Sequence, residues 1–209
     1  MSNVKDAYRA WSEIYDTNQN KTRDLEGIAL REVLNDLRFD HCLEIGCGTG
    51  KNTVWLTEKA KHTLSVDLSE EMLLQAKQKN QDKNVDFLLA DINNDWTFTS
   101  DTFDLISFSL VLEHIENLDH VFREAARKLN RGGYLYLGEL HPFKQYGGTK
   151  ARFETDEGMM VVDCFNHHIS DFIKAAEKYG LHLQALQEFF DENDRSGTPR
   201  ILTLLFVNN

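Results

Sequence analysis

The stretch His41-Cys42-Leu43-Glu44-Ile45-Gly46-Cys47-Gly48-Thr49-Gly50-Lys51 decides the fold of this chain. A short apolar run ends at an acidic residue, three glycines alternate with other residues, and a helix-forming segment follows. The order is strand, tight loop, helix. Glycine adopts positive φ without steric cost and lets a ligand come close to the main chain. The helix that follows presents unpaired N–H groups that favour negative charge. Such a loop at the carboxyl end of a first strand is a nucleotide-type site in an open α/β sheet.

Spacing separates three glycine-loop patterns. The dinucleotide fingerprint G-x-G-x-x-G, begun at Gly46, puts its last glycine at Lys51 and fails there. The phosphate loop G-x-x-x-x-G-K-[ST] is met by Gly50-Lys51, but Ile45 replaces its first glycine and Asn52 its hydroxyl residue. The pattern [DE]-x-G-x-G-x-G is met in full by Glu44, Gly46, Gly48 and Gly50. On these residues the sequence resembles the class I S-adenosylmethionine-dependent methyltransferases. The resemblance implies S-adenosylmethionine as cofactor and S-adenosylhomocysteine as product. It makes Glu44, Gly46, Cys47, Gly48 and Gly50 cofactor-binding candidates.

Downstream motifs fall in the order that this resemblance requires. A second strand over His62–Val66 ends at Asp67, about twenty residues after the loop, the offset of an acid that holds ribose hydroxyls. A carboxylate accepts two hydrogen bonds from a cis-diol, which a neutral side chain does not match. The family places Leu68 and Met72 near the adenosine. Strand three, Val85–Leu89, runs to Asp91 and Ile92, which resemble the residues that read the adenine amine and face its ring. Strand four, Phe103–Ser109, continues into Leu110-Val111-Leu112-Glu113-His114-Ile115, a stretch similar to that of small-molecule methyltransferases. Ser109 and Leu110 are expected to line the methionine part, and His114 to hold the loop. The motif [DN]-P-P-[YF] of base-amine methylation is absent, since the only prolines are Pro142 and Pro199. Asn130-Arg131-Gly132-Gly133 is expected to stop the preceding helix, with strand five over Tyr134–Leu140.

The flanks are less regular. Val4 to Leu37 has helical spacing interrupted at Asp16–Lys21. Trp11-Ser12-Glu13-Ile14-Tyr15-Asp16 is similar to a lid segment of the family, which makes Tyr15 a cofactor contact and residues 1–37 a helical lid. After His141 a loop, then a hairpin over Ala151–Glu154 and Met159–Phe165 turned at Asp156-Glu157-Gly158, form an insertion at 141–168. This insertion is expected to cover the substrate, with Phe143, Tyr146, Arg152, Phe153 and Phe165 as its wall. A helix capped at Ser170 and two final strands, Leu183–Phe190 and Arg200–Val207, complete the chain. The fold expected is α/β, a doubly wound, mostly parallel seven-stranded sheet with an antiparallel last strand, in one domain over 1–209.

Composition limits the function. A chain of 209 residues is long enough for one full core, and its net charge of −11 argues against phosphate-backbone binding. Cys42, Cys47 and Cys164 form no C-x-x-C pair, which fits a reducing compartment. No signal-like or membrane-spanning apolar run is present, so a cytoplasmic protein is expected, as monomer or homodimer, binding neither nucleic acid nor membrane.

Methyl transfer is an in-line displacement on a sulfonium that needs no metal, and orientation supplies much of its rate. A base is useful when the acceptor arrives protonated. His141 and His167 are the candidates, because both are expected at the carboxyl edge of the sheet and imidazole titrates in the useful range. Asn166-His167-His168-Ile169-Ser170-Asp171-Phe172 is similar to a Y-H-R-x-L-x-D-Y segment of quinone- and sterol-type enzymes. The expected activity is methyl transfer to O or N of a small molecule. The alternatives are a non-enzymatic S-adenosylmethionine-binding regulator and a protein methyltransferase. A nicotinamide oxidoreductase lacks its third glycine.

Overall fold

The computed structural model describes residues 20–81, 84–148, 152–155, 158–161 and 164–209, with 152–155 and 158–161 described by their backbone alone. Tyr15 and the Trp11–Asp16 segment lie outside the described residues. Helix α1 spans Lys21–Leu34. Asn20 starts it: its side-chain oxygen accepts the N–H groups of Thr22 at 3.1 Å and Arg23 at 3.0 Å. The helix ends at Leu34, short of Leu37, whose N–H closes a turn onto the Leu34 carbonyl.

Strands β1 (His41–Ile45), β2 (His62–Asp67), β3 (Val85–Leu89), β4 (Phe103–Ser109) and β5 (Leu129–Leu140) pair in parallel. With β8 (Leu181–Phe189) and β9 (Ile201–Asn208) they form one seven-stranded sheet of order β3-β2-β1-β4-β5-β9-β8. Strand β9 runs antiparallel to both neighbours. Order reverses between β1 and β4, which opens a crevice at the carboxyl ends of the strands.

Side chains alternate across the sheet with period two, so each strand feeds two cores. Leu43, Ile45, Ile106, Phe108, Leu135, Leu137, Leu204 and Phe206 face one side, where α4 (Leu118–Lys128) and α6 (Ile169–Lys178) add Phe122, Ala125, Phe172 and Ala176. Cys42, Leu105, Tyr136 and Leu205 face the other, against Leu30 and Leu34 of α1 and Leu56 of α2 (Thr53–Lys59). Helix α3 (Glu70–Lys79) is capped by the Ser69 hydroxyl, which accepts the Met72 N–H at 3.2 Å; acids open it and lysines close it.

Three local expectations are corrected. Strand β5 begins at Leu129 rather than Tyr134, because Leu129 already pairs with Phe103; Gly132, at φ +79°, sits where the register shifts instead of ending α4. Residues after His141 form a short helix α5, Pro142–Tyr146, rather than a loop. Pro142 opens it, and His141 Nδ1 accepts the Phe143 N–H at 3.1 Å. Helix α6 is entered at His168, not Ser170: the His168 N–H donates to Asp171 Oδ2 at 2.8 Å, and Ile169 packs against the core. Strands β6 (Arg152–Thr155) and β7 (Gly158–Val161) form the expected antiparallel hairpin, with β7 ending at Val161. No helix among the described residues is long and apolar enough to cross a membrane.

Candidate functional site

The glycine loop is fixed from below and open above. Its strand end is tied to β2 by the N–H groups of Gly46 and Cys47, which both donate to the Val66 carbonyl at 2.8 and 3.1 Å. Gly46 has φ +69°, and a methyl group there would lie 2.3 Å from Val111 Cγ2. Gly48, at φ +54°, has no atom of the described residues within 4 Å of where its Cβ would be. One glycine is required by packing, the other leaves main chain exposed to a ligand.

Glu44 lies beneath this loop, buried. Its Oε2 accepts from the Thr53 hydroxyl at 2.5 Å and the Ser65 hydroxyl at 2.8 Å. Burial pushes its carboxyl up to about 7. It ties β1 to α2 and β2, and does not reach the cleft.

Asp67 ends β2 at the cleft. Its Oδ2 accepts the Gly48 N–H at 2.8 Å and its Oδ1 the Ser69 N–H at 2.8 Å. Burial raises its carboxyl, and the backbone donors oppose that rise. The side chain is thus locked to the glycine loop with its remaining lone pairs available to a diol. Asp67→Ala is expected to weaken adenosyl-ligand binding by about 1–3 kcal/mol, since a charged acceptor and the tie to Gly48 go together. Calorimetric titration measures this, and unchanged affinity would remove the ribose role.

A cleft open to solvent lies between the ends of β1, β2, β3 and β4. Gly46, Gly48, Asp67, Leu68, Asp91, Ile92, Ser109 and Leu110 of the expected set line it together. Glu44, Cys47, Gly50 and Met72 do not. Met72 and Cys47 are buried behind the wall, and Gly50 packs on Ala76 of α3. Asp91 is exposed, and its Oδ1 accepts from the Asn93 N–H at 3.0 Å, which shapes the turn.

Sequence reasoning gave His114 a loop-holding role and did not place Val111 or Ile115 at the cleft; the far wall is made of Val111, Ile115 and His114. Its shape depends on Leu110, a non-glycine residue at φ +58°. No sequence pattern marks that conformation. His114 is also next to the insertion: its Nδ1 lies 4.0 Å from Cys164 Sγ and its Nε2 3.9 Å from Glu113 Oε1.

The two histidines singled out as bases are engaged elsewhere. His141 is fully buried, with Nδ1 accepting from Phe143 and Nε2 3.0 Å from Glu188 Oε1. Burial lowers its pKa and Glu188 opposes that. His167 is buried and donates from Nε2 to the Ile115 carbonyl at 2.7 Å. With the Phe165 N–H donating to the Glu113 carbonyl at 2.7 Å, this stitches the end of the insertion to the cleft wall. Neither ring lines the cleft.

Phe143 and Tyr146 of α5 are each 53 % exposed, their rings 6.3 Å apart. Tyr146 shares a 2.6 Å hydrogen bond with His168 Nδ1, so the two ends of the insertion meet there. Phe165 is half-buried. Arg152 and Phe153 are neighbours on β6, and their side chains lie outside the description. Burial raises the thiols of Cys42 and Cys47, with Glu44 adding to it, so neither is an activated nucleophile. Among the described residues no group of three or more His, Cys, Asp or Glu is placed to hold a metal ion.

A methyltransferase-domain family model matches residues 43–137. The chain is 24 % identical over 242 residues to an uncharacterized methyltransferase, AN0656, of Emericella nidulans, covering 96 % of this chain and 83 % of the relative. It is 31 % identical over 114 residues to a malonyl-[acyl-carrier protein] O-methyltransferase of Hamiltonella defensa; that match covers 54 % of this chain and 43 % of the relative, less than half its length. Among solved structures, a DhpI–SAM–HEP complex superposes with a TM-score of 0.76 at 19 % identity over 99 % of both chains.

Proposed function

We propose that the chain is a class I S-adenosylmethionine-dependent methyltransferase that methylates an oxygen or nitrogen atom of a small molecule. The observation that carries this reading is the convergence of the glycine loop, Asp67, Asp91–Ile92 and Ser109–Leu110 on one cleft. The residues fit the cofactor. Open main chain at Gly48 and the Ser109–Leu110 wall suit a methionine part, a locked carboxylate suits ribose hydroxyls, and buried Ile92 gives an adenine ring an apolar face. When bound, the cofactor supplies a methyl group activated by its sulfonium.

What this chain contributes is orientation and exclusion of water. The insertion at 141–168 leaves the sheet beside the cleft wall and returns to it at Phe165–His167. Residues 21–34 of the expected lid instead form α1, packed in the core through Leu30 and Leu34, and Tyr15 lies outside the described residues, so the insertion is what we propose encloses a small acceptor. The exposed rings of Phe143 and Tyr146 suit a flat one, with Arg152, Phe153 and Phe165 completing the wall. The O-methyltransferase relative favours oxygen. A hydroxyl acceptor must lose its proton, and among the described residues His114 is the imidazole that lines the cleft. We therefore place it ahead of His141 and His167, whose rings secure α5 and the return of the insertion.

The test is conversion of S-adenosylmethionine to S-adenosylhomocysteine in the presence of a panel of phenols, hydroxy acids and amines. Acceptor-dependent turnover is expected. His114→Ala should lower it by about 10²-fold or more, as for a lost base. The double change His141→Ala and His167→Ala, if folded, should retain turnover within about tenfold, since each ring acts through packing. Cofactor binding without turnover on any small acceptor would favour the regulator or protein-methylating alternatives.

A further inference from the structure

We propose that Glu139 is a positioning residue for the cofactor cleft, holding the Leu110–Leu112 wall in its ligand-facing shape from the neighbouring strand. The inference rests on the reading of that cleft as the cofactor site. Glu139 is 3 % exposed near the end of β5 and does not line the cleft. Its Oε1 accepts two consecutive backbone N–H groups, Val111 at 3.2 Å and Leu112 at 3.0 Å. The residue before it supplies the third bond, because the Leu110 N–H donates to the Gly138 carbonyl at 2.8 Å. Two adjacent residues of β5 thus hold three adjacent N–H groups of the wall.

These three bonds span the one point of the wall that resists its own conformation. Leu110 is in the left-handed region at φ +58°, which a non-glycine residue keeps only when its surroundings enforce it. Ser109, Leu110 and Val111 line the cleft, and Glu139, which does not line it, holds the N–H groups of Val111 and Leu112. Val111 also packs on Gly46, so a shift of this turn would move the glycine loop as well. No glycine-loop motif or strand-end acid pointed to this glutamate.

Burial pushes the Glu139 carboxyl up to about 8, and the nearby carboxylates of Glu113 and Glu26 add to that. His114 and Cys164 stand next to Glu113, and Tyr136 donates to Glu26. Burial therefore favours the neutral form of Glu139. One oxygen accepts from the wall, and the other, Oε2, is buried without a hydrogen-bond partner among the described residues. Glutamine reproduces that arrangement and alanine removes it.

The experiment is calorimetric titration of the whole chain with S-adenosylhomocysteine, for the unaltered protein, Glu139→Gln and Glu139→Ala, with thermal unfolding in parallel. At pH 7 Glu139→Gln should bind within about threefold of the unaltered chain, because its amide oxygen keeps both bonds. Glu139→Ala should bind about tenfold or more weakly. Wild-type affinity in Glu139→Ala, or equal loss in both variants, overturns the proposal. Should Glu139→Ala not fold, Glu139→Met takes its place, since it fills the space without an acceptor for the two N–H groups, and affinity equal to that of Glu139→Gln overturns the proposal. No binding by the unaltered chain would instead overturn the cofactor reading beneath it.

Discussion

Gly46→Ala is expected to abolish measurable binding of S-adenosylmethionine and to destabilise the fold by roughly 2–4 kcal/mol, the sum of a left-handed alanine and an overpacked contact. The residue has φ +69°, and the new methyl would lie 2.3 Å from Val111 Cγ2. Neither partner can retreat cheaply. Gly46 is tied to the Val66 carbonyl on β2, and the Val111 N–H is held by Glu139. Relief therefore has to come from moving the loop or the wall, the two surfaces between which the ligand would sit. A second change, Val111→Ala, removes the clash but not the φ strain. The double variant should recover part of the stability lost, read as Tm. Full affinity in Gly46→Ala would mean that the loop does not face the ligand.

Stability should fall as pH rises through neutrality, by several kcal/mol in total. Glu26 and Glu44 are held at about 7 and Glu139 at about 8, each chiefly by burial. Their folded pKa values are above those of the unfolded chain. Their contribution is therefore complete below about pH 4.5, and is lost progressively as pH climbs to the folded values. A single carboxyl raised by two units or more corresponds to about 3 kcal/mol; the three influence one another, so the total is smaller than the sum. Paired surface acids such as Asp119 and Asp191 have lowered values and act in the opposite sense at acid pH. Denaturant unfolding should find a maximum near pH 5–6, and Glu139→Gln should lessen the decline between pH 6 and 9. A stability that rises steadily from pH 6 to 9 would contradict this account.

The fold was legible because strong signals are local. The Glu44–Gly50 pattern, the offset to Asp67 and the strand that ends at Ser109 each combine apolar runs with residues of special backbone or charge chemistry. They placed the seven-stranded sheet and its antiparallel β9 correctly. Local signals misled where tertiary pairing won. Gly132 looked like a helix stop and instead lies in a strand irregularity, because Leu129 pairs with Phe103. Ser170 looked like a cap, but burial of Ile169 starts α6 earlier.

The cleft was partly legible for the same reason. Asp67 and Gly48 belong to one motif geometry, whereas Val111, His114 and Glu139 act through contacts between β4, β5 and the insertion. His141 illustrates the limit. Its position at a strand end suggests a base, but only the fold reveals that both ring nitrogens are used, one to start α5 and one toward Glu188. Residue type tells what a histidine can do, and packing decides which of those things it does.

The central claim is that the cleft beside the glycine loop is an S-adenosylmethionine site. It is tested most directly by calorimetric titration of the full chain with S-adenosylmethionine and S-adenosylhomocysteine, with NAD as control. Saturable binding of both adenosyl ligands at a single site, and none of NAD, is the result predicted. Binding of NAD, or of none of the three, would contradict it.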